Sequence, residues 1–181
     1  GGVDETKRLA GLIQERIDDT ISQHLFELEA LGPDPEPLLA EARAYLAGGK
    51  RMRAQFAVLG FQAVRPLDLD GDPAGDLGAV LDAACALELF HAAALIHDAV
   101  IDRSDTRRGR PAAHRHFESL HLEHGWRGSK AHFGVAAAIL LGDLLQSWAD
   151  ELLQRACDSV SDRAVALATR AHFNRMRSEV A

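Results

Sequence analysis

The sequence predicts an all-α protein, an antiparallel bundle of helices joined by short connections. Three observations carry that prediction. Apolar residues recur at spacings of three and four through most of the chain. Hydrophobic residues make up 47% of the composition and aromatics only 6%, with alanine frequent, which is enough for a helical core. No stretch of useful length alternates with the period of a β-strand.

Taken in order, Val3 to about Leu31 places Leu9, Leu12, Ile13, Ile17, Ile21, Leu25 and Leu28 on one stripe, an amphipathic helix ended by Gly32-Pro33. Pro35 and Pro37 mark the connection to a short helix, Leu38 to Ala47, which Gly48-Gly49 closes. Lys50 to Val64 resumes the helical pattern, and Arg65-Pro66 stops it. Leu67 to Gly78 is acidic and rich in Gly and Pro, so it reads as a surface loop. Ala79 to about Asp102 is apolar nearly all round and is expected to be the central, buried helix. Arg103 to Ala113 is a basic loop, Ala112 to His124 a second amphipathic piece, and Gly125 to Gly128 a break. Ala131 to about Ala156 is another long apolar helix, and a further one starts at Ser161 and runs to Ala181. No repeat of fixed period and no low-complexity segment is present.

The totals narrow the function. A length of 181 residues fits one domain or part of a larger one. The net charge of −7 argues against a nucleic-acid or membrane-surface binder, so basic residues matter only where they cluster. Cys85 and Cys157 lie in apolar helical contexts without metal-ligand spacing and read as reduced core thiols of a cytoplasmic protein. No signal peptide and no uninterrupted run of about 18 apolar residues occurs, so stable membrane insertion is not expected.

Chemistry concentrates between Glu88 and His114, ELFHAAALIHDAVIDRSDTRRGRPAAH. Four residues of helix advance about 400°, so Asp98 and Asp102 lie within about 40° of one another, and His91 falls on the same stripe. Paired carboxylates are hard oxygen ligands of the kind Mg²⁺ takes alongside water and phosphate oxygens. Aspartates at a helix C-terminus oppose the macrodipole, a cost that a bound cation offsets; two aspartates ending a helix in solvent is the plain alternative. Arg107, Arg108 and Arg110 form a guanidinium patch suited to phosphate, or to local salt bridges with Asp102 and Asp105. Lys50, Arg51 and Arg53 follow two glycines, which suits close approach to phosphate but equally a solvated helix start; the segment is not a Walker A loop. His91 alone would read as a core histidine. The histidines from His114 to His132 read as mostly solvated, without a zinc pattern. Asp143, among apolar neighbours, reads as a hydrogen-bonded structural residue.

In combination these pieces resemble the trans-prenyltransferases, the head-to-tail isoprenyl diphosphate synthases. Gly48 to Arg53, GGKRMR, is similar to the family's GGKRxRP. His91 to Asp102, HAAALIHDAVID, is similar to HxxxLIHDDxxD, and RSDTRRGRPAAH to the RRGxPxxH that follows it. Gly142 to Leu145, GDLL, also fits. The ordered set covers the chain from about Leu38 to Ala181.

The resemblance implies an all-α isoprenoid-synthase fold around a central cavity, and usually a homodimer, with a heterodimer of related synthases as the variant. It implies Mg²⁺-assisted condensation of isopentenyl diphosphate with an allylic diphosphate. By position, Asp98 and Asp102 would bind Mg²⁺ and Arg107 the allylic diphosphate, these three forming the catalytic set. Lys50, Arg53, His91 and Arg108 would hold the diphosphate of isopentenyl diphosphate. Product length follows from sterics along the aspartate-bearing helix. Ala93 and Ala94 leave room where aromatics would stop the chain at C15, and Phe90, one turn further down, could form the floor, favouring a C20 product, geranylgeranyl diphosphate.

Two departures from the family pattern follow. Ala99 stands where the second aspartate of DDxxD is expected, which predicts weaker Mg²⁺ binding or slower turnover. Residues 1–181 are expected to be one all-α prenyl synthase domain lacking the C-terminal part with the second Asp-rich motif. A non-catalytic partner subunit that binds diphosphates without turnover is therefore the rival reading. His97-Asp98 on a helix also admits a metal phosphohydrolase of the HD type, in which the loop RRGRPAAH would have no place. A purely structural helical bundle would leave the two basic clusters unexplained.

Overall fold

The computed structural model describes residues 2–29, 35–47, 51–64, 69–71, 75–107, 109–159 and 162–180. Among these the chain forms α1 (Gly2–Glu29), α2 (Glu36–Leu46), α3 (Met52–Val64), α4 (Asp76–Ile101), a hairpin of β1 (Thr106–Arg107) and β2 (Arg110–Pro111), then α5 (Ala113–His124), α6 (Lys130–Ser159) and α7 (Arg163–Val180). Every predicted helix is present, with its ends within three residues of the expected ones. The hairpin is the element the periodicity missed, because two-residue strands are too short to show alternation. Gly109, at φ 75°, makes its turn.

Helix α4 is the centre. It packs most extensively on α6 and also meets α1, α2, α3 and α5. Burial runs round its whole circumference, from Leu77 through Ala84, Cys85, Leu89 and Phe90 to Ile96 and Ala99. The helix starts three residues earlier than the loop composition suggested. Asp76 sits in its first turn, where a carboxylate favours the dipole, and Gly78 is buried inside it. By length and composition α4 could cross a membrane, with a mean hydropathy of 1.8 over its best 18 residues, although no apolar run is unbroken. That same window is 72% buried against the rest of the protein, the setting of a core helix. Cys85, wholly enclosed here, has its thiol pushed up to about 12 by burial.

The amphipathic helices lie over α4 by their apolar stripes. Ile13, Ile17 and Ile21 of α1, spaced four apart, are fully buried. Two carboxylates of α4 also enter the core, each with partners from other helices. Asp82 accepts two hydrogen bonds from Arg155 of α6, at 2.8 and 3.0 Å, and lies 3.1 Å from Arg16 of α1. Glu88 lies 3.4 Å from Arg51 and accepts from the Ala54 amide at the start of α3. A buried carboxylate stripped of such partners would be strongly destabilising.

Two glycines set the distance between α6 and its neighbours. A Cβ on Gly142 would stand 2.2 Å from the His97 ring of α4. A Cβ on Gly134 would stand 2.3 Å from the carbonyl oxygen of His114 in α5. Eight residues of helix turn through about 800°, so these two positions face different partners. The His114 obstacle is backbone and cannot swing aside. Gly134→Ala is therefore expected to cost about 3 kcal/mol in urea unfolding, near the upper end for overpacking. Gly142→Ala, whose obstacle is a ring with rotamers available, should cost less.

Candidate functional site

The C-terminal end of α4 carries the predicted carboxylates. The Asp102 amide donates to the Asp98 carbonyl at 2.8 Å, so the helical turn is closed and both residues stand one turn apart on one face. Both are exposed, and no hydrogen bond or ion pair engages either carboxylate among the described residues. The chain then reverses through Arg103 at φ 55°, a left-handed conformation that non-glycine residues adopt at a cost of about 1–2 kcal/mol. Bonds from the Arg103 amide to Val100 and from the Ser104 amide to Ala99 lock this cap. Two free, hard carboxylates at the negative end of a long helix dipole suit a divalent cation held partly by them and partly by its other ligands. Ala99, between them in sequence, is fully buried.

The hairpin follows at once. Arg107 pairs with Arg110 across it, so both side chains leave the ribbon on one side. Their surroundings differ. Arg110 lies 3.8 Å from Glu41 of α2 and 6.0 Å from the centre of the Tyr45 ring. Arg107 is half-buried, and its Nε is enclosed with no hydrogen-bond partner. Local pairing of Arg107 or Arg110 with Asp102 or Asp105 does not occur; Asp105 accepts instead from Arg115 at 2.8 Å. The base of the loop is closed by the Ala112 amide on the Asp105 carbonyl, 2.9 Å. Arg108 and Lys50 lie outside the described residues.

Of the other expected ligands, Arg53 is exposed in the first turn of α3, and His91 is half-buried on α4. Arg51, beside them in sequence, serves the fold. Held at φ 54°, its side chain is 8% exposed and reaches Glu88 and Gln14. Further back along α4, Phe90 and Ala93 are buried and Ala94 is half-buried. The Phe90 ring meets Phe173 of α7 edge-on at 5.8 Å. Asp143 is exposed rather than enclosed, 3.3 Å from His97 Nε2. Among the described residues no group of three or more His, Cys, Asp or Glu side chains could hold a metal, so the HD-type arrangement around His97-Asp98 finds no support.

Sequence reasoning missed what stands behind the hairpin. Glu41 is 2% exposed, with Oε2 3.2 Å from His116 Nε2 and Oε1 without a partner. Burial pushes its carboxyl up, opposed by His116 and Arg110. The Tyr45 hydroxyl accepts from the Ala113 amide at 3.0 Å, and burial raises its phenol as well. The available signal was a carboxylate on the stripe shared by Leu38 and Tyr45. The histidines from His114 to His132 divide, with His124 and His132 exposed as expected. His114 and His121 are buried, because the apolar face of α5 turns them toward α6. His121 Nε2 lies 3.1 Å from the Arg127 carbonyl, and burial lowers the His114 imidazole.

The family model for polyprenyl synthetases matches residues 36–181, from the start of α2 onward. The chain belongs to the polyprenyl synthetase family. Its relatives include the geranylgeranyl diphosphate synthase of Methanosarcina mazei, 34% identical over 154 residues. That match covers 84% of this chain and 37% of the relative, so the chain spans well under half of it. The large subunit 1 of a heterodimeric chloroplastic geranylgeranyl pyrophosphate synthase from Arabidopsis thaliana is 34% identical over 137 residues, covering 73% of this chain and 30% of that protein. Among solved structures, the geranylgeranyl pyrophosphate synthase of Corynebacterium glutamicum, complexed with isoprenyl diphosphate and magnesium, superposes with a TM-score of 0.82 at 36% identity. It covers 95% of this chain, which covers 47% of it. The all-α fold expected for a member of this family is the one observed.

The burial of Ala99 separates it from its neighbours. A carboxylate there would enter the helix packing. Ala99→Asp is expected to lower stability by about 1–3 kcal/mol, read as a fall in the urea midpoint, while Ile101→Asp at the exposed position nearby leaves the midpoint nearly unchanged.

Proposed function

We propose that the whole protein condenses isopentenyl diphosphate with an allylic diphosphate. The observation that carries this reading is the pairing, at one helix end, of two unengaged carboxylates with a guanidinium whose enclosed Nε has no partner. A Mg²⁺ ion bound there would neutralise charge on the diphosphate leaving group. Asp98 and Asp102 would hold it, and Arg107 would donate to the phosphate oxygens of the allylic substrate. In the reaction the allylic C–O bond breaks, the double bond of isopentenyl diphosphate forms the new C–C bond, and a proton is lost. Lys50, Arg53, His91 and Arg108 are assigned to the second diphosphate. Apolar packing along α4 would keep water from the cation that forms.

The same reading assigns product length to the residues below the aspartates. Small side chains at Ala93 and Ala94, with Phe90 braced on Phe173, support a C20 product, geranylgeranyl diphosphate. A dimer is part of the proposal, as a homodimer or with a related synthase. It is supported by the exposed row of Val135, Ile139 and Leu140 on α6. A cytoplasmic setting agrees with two free cysteines, one of them fully buried. A partner subunit that binds diphosphate without turnover is the second reading, favoured by Ala99; co-purification with an active relative as a stable mixed dimer would identify it.

The test is titration of farnesyl diphosphate into the purified chain with and without Mg²⁺, followed by addition of isopentenyl diphosphate and product chromatography. Binding should require Mg²⁺. It should weaken at least tenfold in Asp98→Ala and Asp102→Ala, and by about 1.5–3 kcal/mol in Arg107→Ala. Metal-independent binding, or none, would overturn the site. Where product forms, Ala94→Phe should shorten it; an unchanged product would remove the steric argument.

A further inference from the structure

Arg107 and Arg110 stand opposite one another on a two-residue ribbon, and like charges so placed repel. A carboxylate that takes up one charge relieves that repulsion and leaves the other guanidinium for a phosphate. Glu41 is the group in position. It lies on α2, it is 2% exposed, and it faces the hairpin from behind. Its Oε2 stands 3.8 Å from Arg110 and 3.2 Å from His116, the first on the hairpin and the second on α5. One turn along α2, Tyr45 lies under the Arg110 guanidinium and accepts from the Ala113 amide between those two residues. So α2 grips the loop from both sides of Pro111. Burying a carboxylate with one oxygen unpartnered is costly, and such a group persists where its environment holds it for another purpose.

We propose that Glu41 is a positioning residue for diphosphate binding: it draws Arg110 back onto α2, neutralises it, and leaves Arg107 as the guanidinium presented to the phosphate. The inference rests on the reading of Arg107 as a diphosphate ligand and adds a residue to which the aspartate and arginine motifs give no clue. Glu41 touches no substrate and acts through Arg110. Removing the Glu41 charge frees Arg110 to crowd Arg107, and binding weakens although no ligand has been lost.

The experiment is a double-mutant cycle on the full chain, with farnesyl diphosphate and Mg²⁺ as the titrant and thermal unfolding of each variant alongside. Glu41→Gln should weaken binding about tenfold. In the Arg110→Gln background the same substitution should change binding less than twofold, because the charge it manages is already gone. A residue that merely stabilises α2 would lower affinity equally in both backgrounds, and that result overturns the proposal. Equal affinity of Glu41→Gln and the unsubstituted chain also overturns it, while leaving the Arg107 site standing. Failure of the unsubstituted chain to bind overturns both. Should Glu41→Gln fail to fold, Arg110→Glu supplies the test: an added carboxylate opposite Arg107 should weaken binding more than Arg110→Gln does, and equal effects would overturn the proposal.

Discussion

The constraint on which the rest depends is the enclosure of α4. A helix covered on every side by other helices has no polar face to give to water, so its polar groups must either find partners inside or wait until the helix emerges. Asp82 and Glu88 take the first course, and Asp98 and Asp102 the second. The last turn of α4 is therefore both the negative end of a long dipole and the place where its carboxylates reach solvent. The candidate site is where it is because most of the rest of the helix is enclosed by its neighbours.

The internal carboxylates organise the periphery in turn. Asp82 draws one arginine from α1 and another from α6, and Glu88 holds Arg51 while capping the start of α3. Each pair is costly to desolvate and more costly to break, so arrangements that leave one of these carboxylates unpaired are disfavoured. His24 adds another tie. Its ring bonds the Thr20 carbonyl at 2.8 Å and Glu151 at 2.9 Å, and stacks on Trp148 at 4.4 Å. Polar groups fix the arrangement, and the aliphatic stripes fill it.

Much of this was legible in the sequence. The helices, the centrality of α4, and the placement of Asp98 and Asp102 one turn apart on one face follow from periodicity and spacing, because those are local properties. What was not legible depends on contacts between distant segments. Glu41 and Arg110 are far apart in the chain, and nothing in α2 alone says which cation its buried carboxylate will meet. His114 and His121 looked like polar surface by composition; their burial comes from α6 approaching closely at Gly134. Arg51 and Arg53 looked equivalent, yet one is drawn into the core by Glu88 and the other stays in water. Asp143 read as a hydrogen-bonded structural residue, and it does reach His97, but from the exposed side of α6.

The family match begins at residue 36, and α1 lies wholly before it. The helix nevertheless supplies Arg16 to Asp82, Gln14 to Arg51 and His24 to Glu151, and lays Ile13, Ile17 and Ile21 into the core. The boundary of the family model is thus not the boundary of the folding unit. A chain cut back to the matched residues would keep every motif of the site while baring an isoleucine-lined face and depriving Asp82 of one of its two cations. A helix that lies outside the family model can still be structural: α1 is part of what keeps the central helix dry.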